Sequence, residues 1–215
     1  MPPYATASRT PSGPPKDPCM TTFESRTSDQ PIEKVFLERW SPRAMTGEAM
    51  PPAALAAMFE AARWAPSSYN SQPWRFLYAH NGTPQFAKIL NLLVPGNQPW
   101  AKDASVLIVA ISKLMMMARG NEVASHSHAF DTGAAWENLA LQALHMGWHT
   151  HGMTGIDYPR ATTELKVPDG YRVEAAIAIG KIADKSKLPE GYQAMEAPSG
   201  RNPVSSFAFD TDFPA

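Results

Sequence analysis

The sequence predicts an α+β domain in which helices pack on a mixed β-sheet. Helical patterns come first along the chain, and strands then alternate with helices. Residues 104–112 are almost continuously apolar and rich in Val and Ile, which is typical of a central strand covered on both faces. Residues 130–146 form a helical pattern in which only Asp131 and Glu137 are charged. A helix that is apolar nearly all round is buried on all sides, which in a domain of this size indicates a subunit interface.

Length and composition exclude several classes of protein. The chain has 215 residues, which fits one domain with a sizeable core. Its 19 Lys and Arg nearly balance its 20 Asp and Glu, so there is no basic field to attract nucleic acid or anionic lipid. The single Cys19 excludes disulfides and zinc fingers and favours a reducing compartment. With no apolar run of membrane-spanning length and no secretory signal, we predict a cytoplasmic protein without membrane partners.

The N-terminus predicts a disordered arm followed by one folded domain. Residues 1–28 are rich in Pro, Ser and Thr and contain few large apolar residues, so they cannot bury enough surface to offset the entropy of ordering. The domain spans residues 29–215. Its first helix is capped by Ser28-Asp29, and helical spacing predicts a core face of Ile32, Val35, Phe36 and Trp40.

The exit of this helix combines two arginines and a serine. Pro42 disfavours helix in the residue before it, so the chain turns between Arg39 and Arg43, with Ser41 in the turn. Guanidinium groups, a hydroxyl and backbone amides in one turn suit a phosphate. The alternative interpretation is an ordinary helix end exposed to solvent, which the same local sequence would also fit.

A second helix begins at Pro51-Pro52 and ends before a polar loop. Leu55, Met58, Phe59 and Ala62 form its predicted buried stripe. The loop that follows is uncharged and stiffened by proline, and it offers hydroxyls and amides at fixed positions. Such a loop fits a flat, polar ligand, although an ordinary turn would have the same composition. Its candidate binding residues are Pro66, Ser67, Ser68, Asn70 and Gln72.

The middle of the chain predicts alternating strands and helices. Residues 74–79 read as a strand, and Phe86, Ile89 and Leu93 indicate a third helix. A polar and aromatic loop at residues 94–100 precedes the central strand. The methionines at 115–117 fit irregular core packing or a pocket wall. Residues 121–127 are predicted to be a mobile polar connection.

The C-terminal third predicts two strands, one helix and a tail. Residues 149–154 form a short strand, Asp157 and Pro159 open a helix, and residues 173–180 form a strand. The tail from Lys181 is polar and is predicted to be extended. Its Phe207 and Phe209 could add a strand to a neighbouring sheet.

No motif supplies a catalytic side chain or a metal site. The chain has no glycine-rich dinucleotide fingerprint, no phosphate-binding loop and no nucleophile elbow. Its histidines have no carboxylate-rich partner segment, so we predict no metal ligand. A binding pocket without an acid, base or nucleophile is expected where a cofactor carries the chemistry.

The loops taken together resemble one family. The ordered set comprises residues 39–43, the loop at 66–76, Asn97, the uncharged helix, residues 151–157 and residues 201–203. This set resembles the nitroreductase family of FMN-dependent oxidoreductases over residues 31–209. The resemblance implies a mainly antiparallel sheet flanked by helices. It also implies an obligate homodimer with FMN at the subunit interface and a tail that extends onto the partner.

The resemblance also implies roles for the candidate residues. Arg39, Ser41, Arg43, Arg201 and the backbone of Trp40 match the site of the FMN phosphate. The family usually has a second arginine where this chain has Trp40, and a basic residue where it has Ser199. The loop residues Pro66, Ser67, Ser68, Asn70 and Gln72 match the segment that reaches the flavin from the other subunit. Asn97 matches the residue at the pyrimidine edge, and the segment against the flavin face is Met153, Thr154 and Gly155.

The activity implied is ping-pong transfer of hydride from NAD(P)H through FMN to a small electron-poor acceptor such as a nitroaromatic or quinone. The same scaffold also implies alternatives: enone reduction, dehydrogenation, dehalogenation or flavin breakdown. Residues 113–128 follow the central strand and could overhang the pocket, so they are expected to decide among these. A non-catalytic flavin-binding protein and a dimeric structural domain without cofactor are the remaining readings.

Overall fold

A computed structural model describes residues 26–213. Cys19 and all of the predicted arm before Arg26 lie outside the described residues. The predicted α+β class is confirmed, because a four-stranded antiparallel sheet is flanked by helices. No helix within residues 26–213 has both the length and the apolar character needed to cross a membrane.

The central sheet has the strand order β1-β2-β6-β5. Its strands are β1 (Trp74–His80), β2 (Val106–Lys113), β5 (His149–Met153) and β6 (Tyr171–Gly180). All three pairings are antiparallel, which confirms the mainly antiparallel sheet that the resemblance implies, and the sheet of the described residues contains no parallel pair that would make it mixed. The reason is that the chain leaves β1 at His80 and returns beside it at Val106. Asn81 closes this excursion by donating from Nδ2 to the carbonyls of Lys102 and Ala104.

Helices cover both faces of the sheet. On one face lie α2 (Pro52–Arg63) and α5 (His128–His145), packed on Val106 and Ile108. On the other face lie α3 (Pro84–Leu92), α4 (Gln98–Ala101) and α6 (Tyr158–Glu164), packed on Leu107 and Val109. Alternate β2 side chains therefore enter two separate cores, which confirms the strand predicted to be covered on both faces.

The first helix is shorter and more exposed than the sequence predicts. Helix α1 covers only Lys34–Glu38, and its N-cap is Glu33. Ser28 instead bonds locally to the backbone of Gln30, a turn that competes with helix formation. The predicted core face is wrong, since Ile32 and Phe36 are about half exposed and only Trp40 is buried.

A β-hairpin replaces the predicted polar connection after the central strand. Strands β3 (Met115–Ala118) and β4 (Asn121–Ala124) pair through a turn in which Arg119 and Gly120 both have positive φ. Such a turn matches the twist of the strands it joins. The prediction that the methionines fill the core is wrong, because none of the three is buried and Met117 is mostly exposed.

Helix α5 is buried on one side only. Its buried residues include Ala135, Leu139 and Ala143, which pack on the core shared with α2. Phe130, in contrast, is 82% exposed, so burial on all sides is not achieved within one chain. The tail also differs from a fully extended segment, because it contains α7 (Glu190–Gln193) and short 3₁₀ turns at Lys185–Lys187 and Val204–Ser206.

Candidate functional site

Arginines from both ends of the described chain surround one cavity of about 260 Å³. Arg39 and Arg43 come from the turn after α1, and Arg201 comes from the C-terminal tail. Trp40 and Ser41 lie between the first two arginines and also line the cavity. The structure thus brings together all five residues that the sequence assigned to phosphate binding. The remaining lining residues are Arg26, His151, Met195, Ala197 and Ser199.

Arg39 has a buried donor that no described residue satisfies. Its Nε is buried and makes no hydrogen bond within residues 26–213. Its guanidinium lies over the ring of Trp136 on α5, 5.7 Å from the ring centroid, which fixes the side chain by a cation–π contact. A buried charged donor without an acceptor is costly, so this position suits an anionic ligand.

Arg26 joins three separate segments at the edge of the cavity. Its Nε donates to the carbonyl of Ser199 at 2.9 Å. Its Nη1 donates to the carbonyls of Leu37 at 3.1 Å and Arg39 at 2.7 Å. Burial, followed by the charges of Arg201 and Arg39, lowers the pKa of this guanidinium. The residue lies in the stretch that the sequence assigned to the arm.

Glu196 fastens the tail to the turn between the arginines. Its Oε1 accepts hydrogen bonds from the backbone amides of Arg43 at 2.7 Å and Ala44 at 2.8 Å. Its Oε2 lies 3.9 Å from Nη1 of Arg43, and the side chain is only 4% exposed. The carboxylate therefore fixes the backbone that presents Arg43 to the cavity.

Two histidines of β5 are neutral beside this cluster. Burial and then the charge of Arg39 lower the pKa of His149 to about 4. Burial also lowers the pKa of His151 to about 4, although its Nδ1 lies 3.0 Å from the carbonyl of Pro42. The ring of His151 packs against Trp100, with centroids 4.6 Å apart. Near pH 7 the positive charge of the site thus comes from arginines alone.

Asn97 and Gly155 form a second group. Nδ2 of Asn97 donates to the carbonyl of Gly155 at 3.1 Å, and the amide of Val94 donates to the same carbonyl at 3.0 Å. A Cβ added to Gly155 would lie 2.5 Å from Nδ2 of Asn97, so only glycine permits this approach. The side chain of Met153 is buried in the core, whereas the adjacent Thr154 is exposed.

The loop at residues 66–72 forms a third group, apart from the arginine cavity. Within four positions, Tyr69, Asn70 and Gln72 have positive φ, which is strained for residues with side chains. Ser68 donates its amide to Oδ2 of buried Asp131, and Ser67 Oγ accepts from the amide of Gln72. Pro66, Asn70 and Gln72 are exposed, and no loop residue lines the cavity.

Within one chain, the predicted phosphate-binding residues line one cavity, and Asn97 pairs with Gly155. The polar loop at residues 66–72 does not line that cavity. Sequence reasoning missed Arg26, Glu196 and His151. Arg26 lies in a proline-rich stretch and Glu196 in a polar tail, so neither has a local pattern that marks it. His151 lies in the segment 151–157 that the resemblance includes, but it was given no role. Because it is two positions before Met153 on a strand, both side chains point to the same face of the sheet, and this spacing was the available signal. Within the described part of the chain, no cluster of three or more His, Cys, Asp or Glu side chains could hold a metal ion.

The chain is similar to known proteins in sequence and in fold. The model of the Nitroreductase family matches residues 37–93 and 83–181. A crystal structure of an oxidoreductase containing FMN is 46% identical, with a TM-score of 0.86, and the match covers 91% of this chain and 99% of that one. The protein DrgA of Synechocystis sp. is 28% identical over 151 residues, which is 58% of this chain and 70% of that protein. A nitroreductase family protein from Streptococcus pneumoniae shares the fold at 20% identity and a TM-score of 0.66, with 83% of this chain and 98% of that chain covered.

Proposed function

The chain belongs to the nitroreductase family, and from this we propose that it is an FMN-dependent oxidoreductase that takes hydride from NADH or NADPH and reduces a small electron-poor acceptor, such as a nitroaromatic or a quinone. The observation that carries the proposal is the arginine cavity. Arg39, Arg43 and Arg201 line a common space, and Glu196, the carboxylate beside Arg43, is already engaged by backbone amides. Such an excess of positive charge suits the phosphate of FMN.

We assign the remaining candidate residues by their chemistry. Ser41 and the backbone of Trp40 complete the phosphate site. Asn97, held by the carbonyl of Gly155, offers an amide to the pyrimidine edge of the flavin. The backbone of Met153, Thr154 and Gly155 faces the ring. When bound, FMN supplies hydride acceptance and electron transfer in a ping-pong cycle, so no catalytic side chain is required.

The proposed enzyme is a homodimer in which each FMN lies between two subunits. Within one chain, Pro66, Ser67, Ser68, Asn70 and Gln72 lie outside the arginine cavity. The uncovered side of α5, with Phe130 exposed, provides apolar surface for a second copy. We propose that the polar loop serves the partner's flavin and that the tail beyond Arg201 extends onto the partner.

The test is anaerobic stopped-flow of the purified flavin-loaded protein. Mixing with NADH or NADPH should bleach the flavin absorbance, and a nitroaromatic or quinone should restore it. Steady-state double-reciprocal lines should run parallel. A colourless protein that takes up no FMN would reject the proposal, and intersecting lines would reject the ping-pong order.

A second candidate function is another FMN reaction on the same scaffold: enone reduction, dehydrogenation, dehalogenation or flavin breakdown. The β3–β4 hairpin favours keeping this alternative, because it lies in the segment expected to decide the substrate and its exposed Met117 and Val123 select no single acceptor. A panel of acceptors in the same stopped-flow assay separates these activities. Bound flavin that no nicotinamide bleaches would instead indicate a non-catalytic flavin-binding protein.

A further inference from the structure

Arg26 lies outside the residues that match the family, yet it lines the same cavity as the predicted phosphate residues. The family match begins at residue 37. The cavity lining nevertheless includes Arg26 beside Arg39, Arg43 and Arg201. Arg26 and Arg201 both lie outside the residues that the family model matches, and both nevertheless line the cavity.

The hydrogen bonds of Arg26 fix its guanidinium without neutralising it. All three known acceptors are backbone carbonyls, belonging to Leu37, Arg39 and Ser199. Nε and Nη1 make these bonds, and Nη2 makes none within residues 26–213. Arginine remains protonated in proteins, so the side chain adds a full charge to the cavity.

The charges around the cavity do not balance. Four guanidiniums line it, and Glu196 is the carboxylate that reaches Arg43, at 3.9 Å. Arg201 and Arg39 place two further positive charges near the Arg26 guanidinium, and their charges add to burial in lowering its pKa. A ligand with two negative charges would relieve that field, whereas a neutral ligand would not.

We propose that Arg26 is a fourth phosphate-binding arginine of the cofactor site and that it selects flavins with a terminal phosphate monoester over riboflavin. This inference rests on the proposed function. It supplies a basic group to a site in which Trp40 and Ser199 stand at positions that the family resemblance expects to be basic. It also makes the N-terminal segment part of the cofactor site.

The experiment measures flavin binding by the full-length protein rather than turnover. FMN is released from the holoprotein by dilution and followed by flavin fluorescence, and riboflavin is titrated into the FMN-depleted protein. The variants are Arg26→Gln, Arg26→Lys and Arg201→Ala. Arg160→Gln is the matched control, because Arg160 pairs with Glu164 on α6 and does not line the cavity.

We expect Arg26→Gln to raise the Kd for FMN about tenfold or more, as for loss of a charge-assisted hydrogen bond. The Kd for riboflavin should change by less than about twofold. Arg26→Lys keeps the charge but not the fork of donors, so it should lie between wild type and Arg26→Gln. Added salt should narrow the difference between wild type and Arg26→Gln, since salt screens the lost charge.

Two outcomes would overturn the inference while leaving the proposed function intact. One is an unchanged FMN Kd in Arg26→Gln beside a weakened one in Arg201→Ala. The other is an equal loss of FMN and riboflavin, which would mean that Arg26 only holds the tail in place. A wild-type chain that binds neither flavin would overturn both the inference and the proposed function.

Discussion

Ser68 donates its backbone amide to Oδ2 of Asp131 at 3.1 Å, and this bond fastens the polar loop to the first turn of α5. The same oxygen accepts from Oγ of Ser127 at 2.9 Å. Asp131 is only 3% exposed and lies where a helix N-terminus stabilises negative charge. The carboxylate therefore connects the loop at residues 66–72 with Ser127, the N-cap residue of α5.

We expect Asp131→Ala to lower the free energy of unfolding by about 1–3 kcal/mol, because it leaves the Ser68 amide and the Ser127 hydroxyl without their acceptor. Urea denaturation measures this change. Limited proteolysis should show faster cleavage within residues 66–72. Asp169→Asn, in an exposed turn, is the control. Equal stability and equal protease resistance of the two variants would contradict the role of Asp131.

Glu196 predicts a contrast between two substitutions. Glu196→Ala leaves the amides of Arg43 and Ala44 unpaired, so we expect a loss of about 1–3 kcal/mol in unfolding free energy. Glu196→Gln keeps an acceptor oxygen and removes a negative charge beside the cavity. It should therefore lose less stability and bind FMN at least as tightly as wild type. Denaturation curves measure the stability of each variant, and flavin titration measures its affinity for FMN. Asp210→Ala, in the exposed tail, is the control. Weaker FMN binding by Glu196→Gln than by wild type would contradict the charge argument.

Gly155 predicts sensitivity to a single methyl group. In Gly155→Ala the new Cβ would lie 2.5 Å from Nδ2 of Asn97 and 2.9 Å from Cγ2 of Val94, so Asn97 must move away from the Gly155 carbonyl. If Asn97 binds the flavin as proposed, FMN affinity should fall roughly tenfold. Fluorescence titration measures it. Gly191→Ala is the control, since nothing lies within 4 Å of its Cβ. If Gly155→Ala binds FMN as tightly as wild type, Asn97 is not part of the flavin site.

The histidines of β5 predict loss of stability in mild acid. Both His149 and His151 have a pKa of about 4 in the folded chain, below the usual value of 6.5. As pH falls below 6.5 the unfolded chain takes up protons that the folded chain does not, so stability declines until about pH 4. The full effect is on the order of 3 kcal/mol for each histidine.

Urea denaturation at pH 7.5 and pH 5 measures this dependence. His149→Asn should make the stability less dependent on pH, because one of the two titrations is removed. His145→Gln replaces an exposed histidine and should leave the dependence as in wild type. Stability that is equal at the two pH values in wild type would show that the histidines are not held neutral.

Sequence patterns predicted those features that depend on local periodicity. β2 was recognisable because a strand buried on both faces is apolar at nearly every position. α2 was recognisable because Pro52 opens it and Leu55, Met58 and Ala62 recur at helical spacing. The grouping of Arg39, Ser41 and Arg43 around one cavity was predictable because these residues are close in sequence. Its pairing with Arg201 came only from the family resemblance.

Features that depend on distant contacts could not be predicted. Arg26 is held by carbonyls up to 173 positions away, and a lone arginine in a proline-rich stretch carries no sign of that. Phe36 is exposed although it lies within α1, because no described segment packs over that face of the helix, and helical spacing alone cannot predict that. The hairpin at Met115 was hidden because its turn residues, Arg119 and Gly120, lack the usual Asn-Gly signal.

The positive φ angles at Tyr69, Asn70 and Gln72 have a consequence for how this protein can be stabilised. Each such residue costs on the order of 1 kcal/mol or more relative to a relaxed backbone. Glycine at Tyr69 would relieve part of that strain but would also widen the range of conformations open to the loop. The native loop thus keeps a defined shape at the cost of thermal stability. We expect heat-resistant variants that are selected without flavin to carry substitutions in this loop.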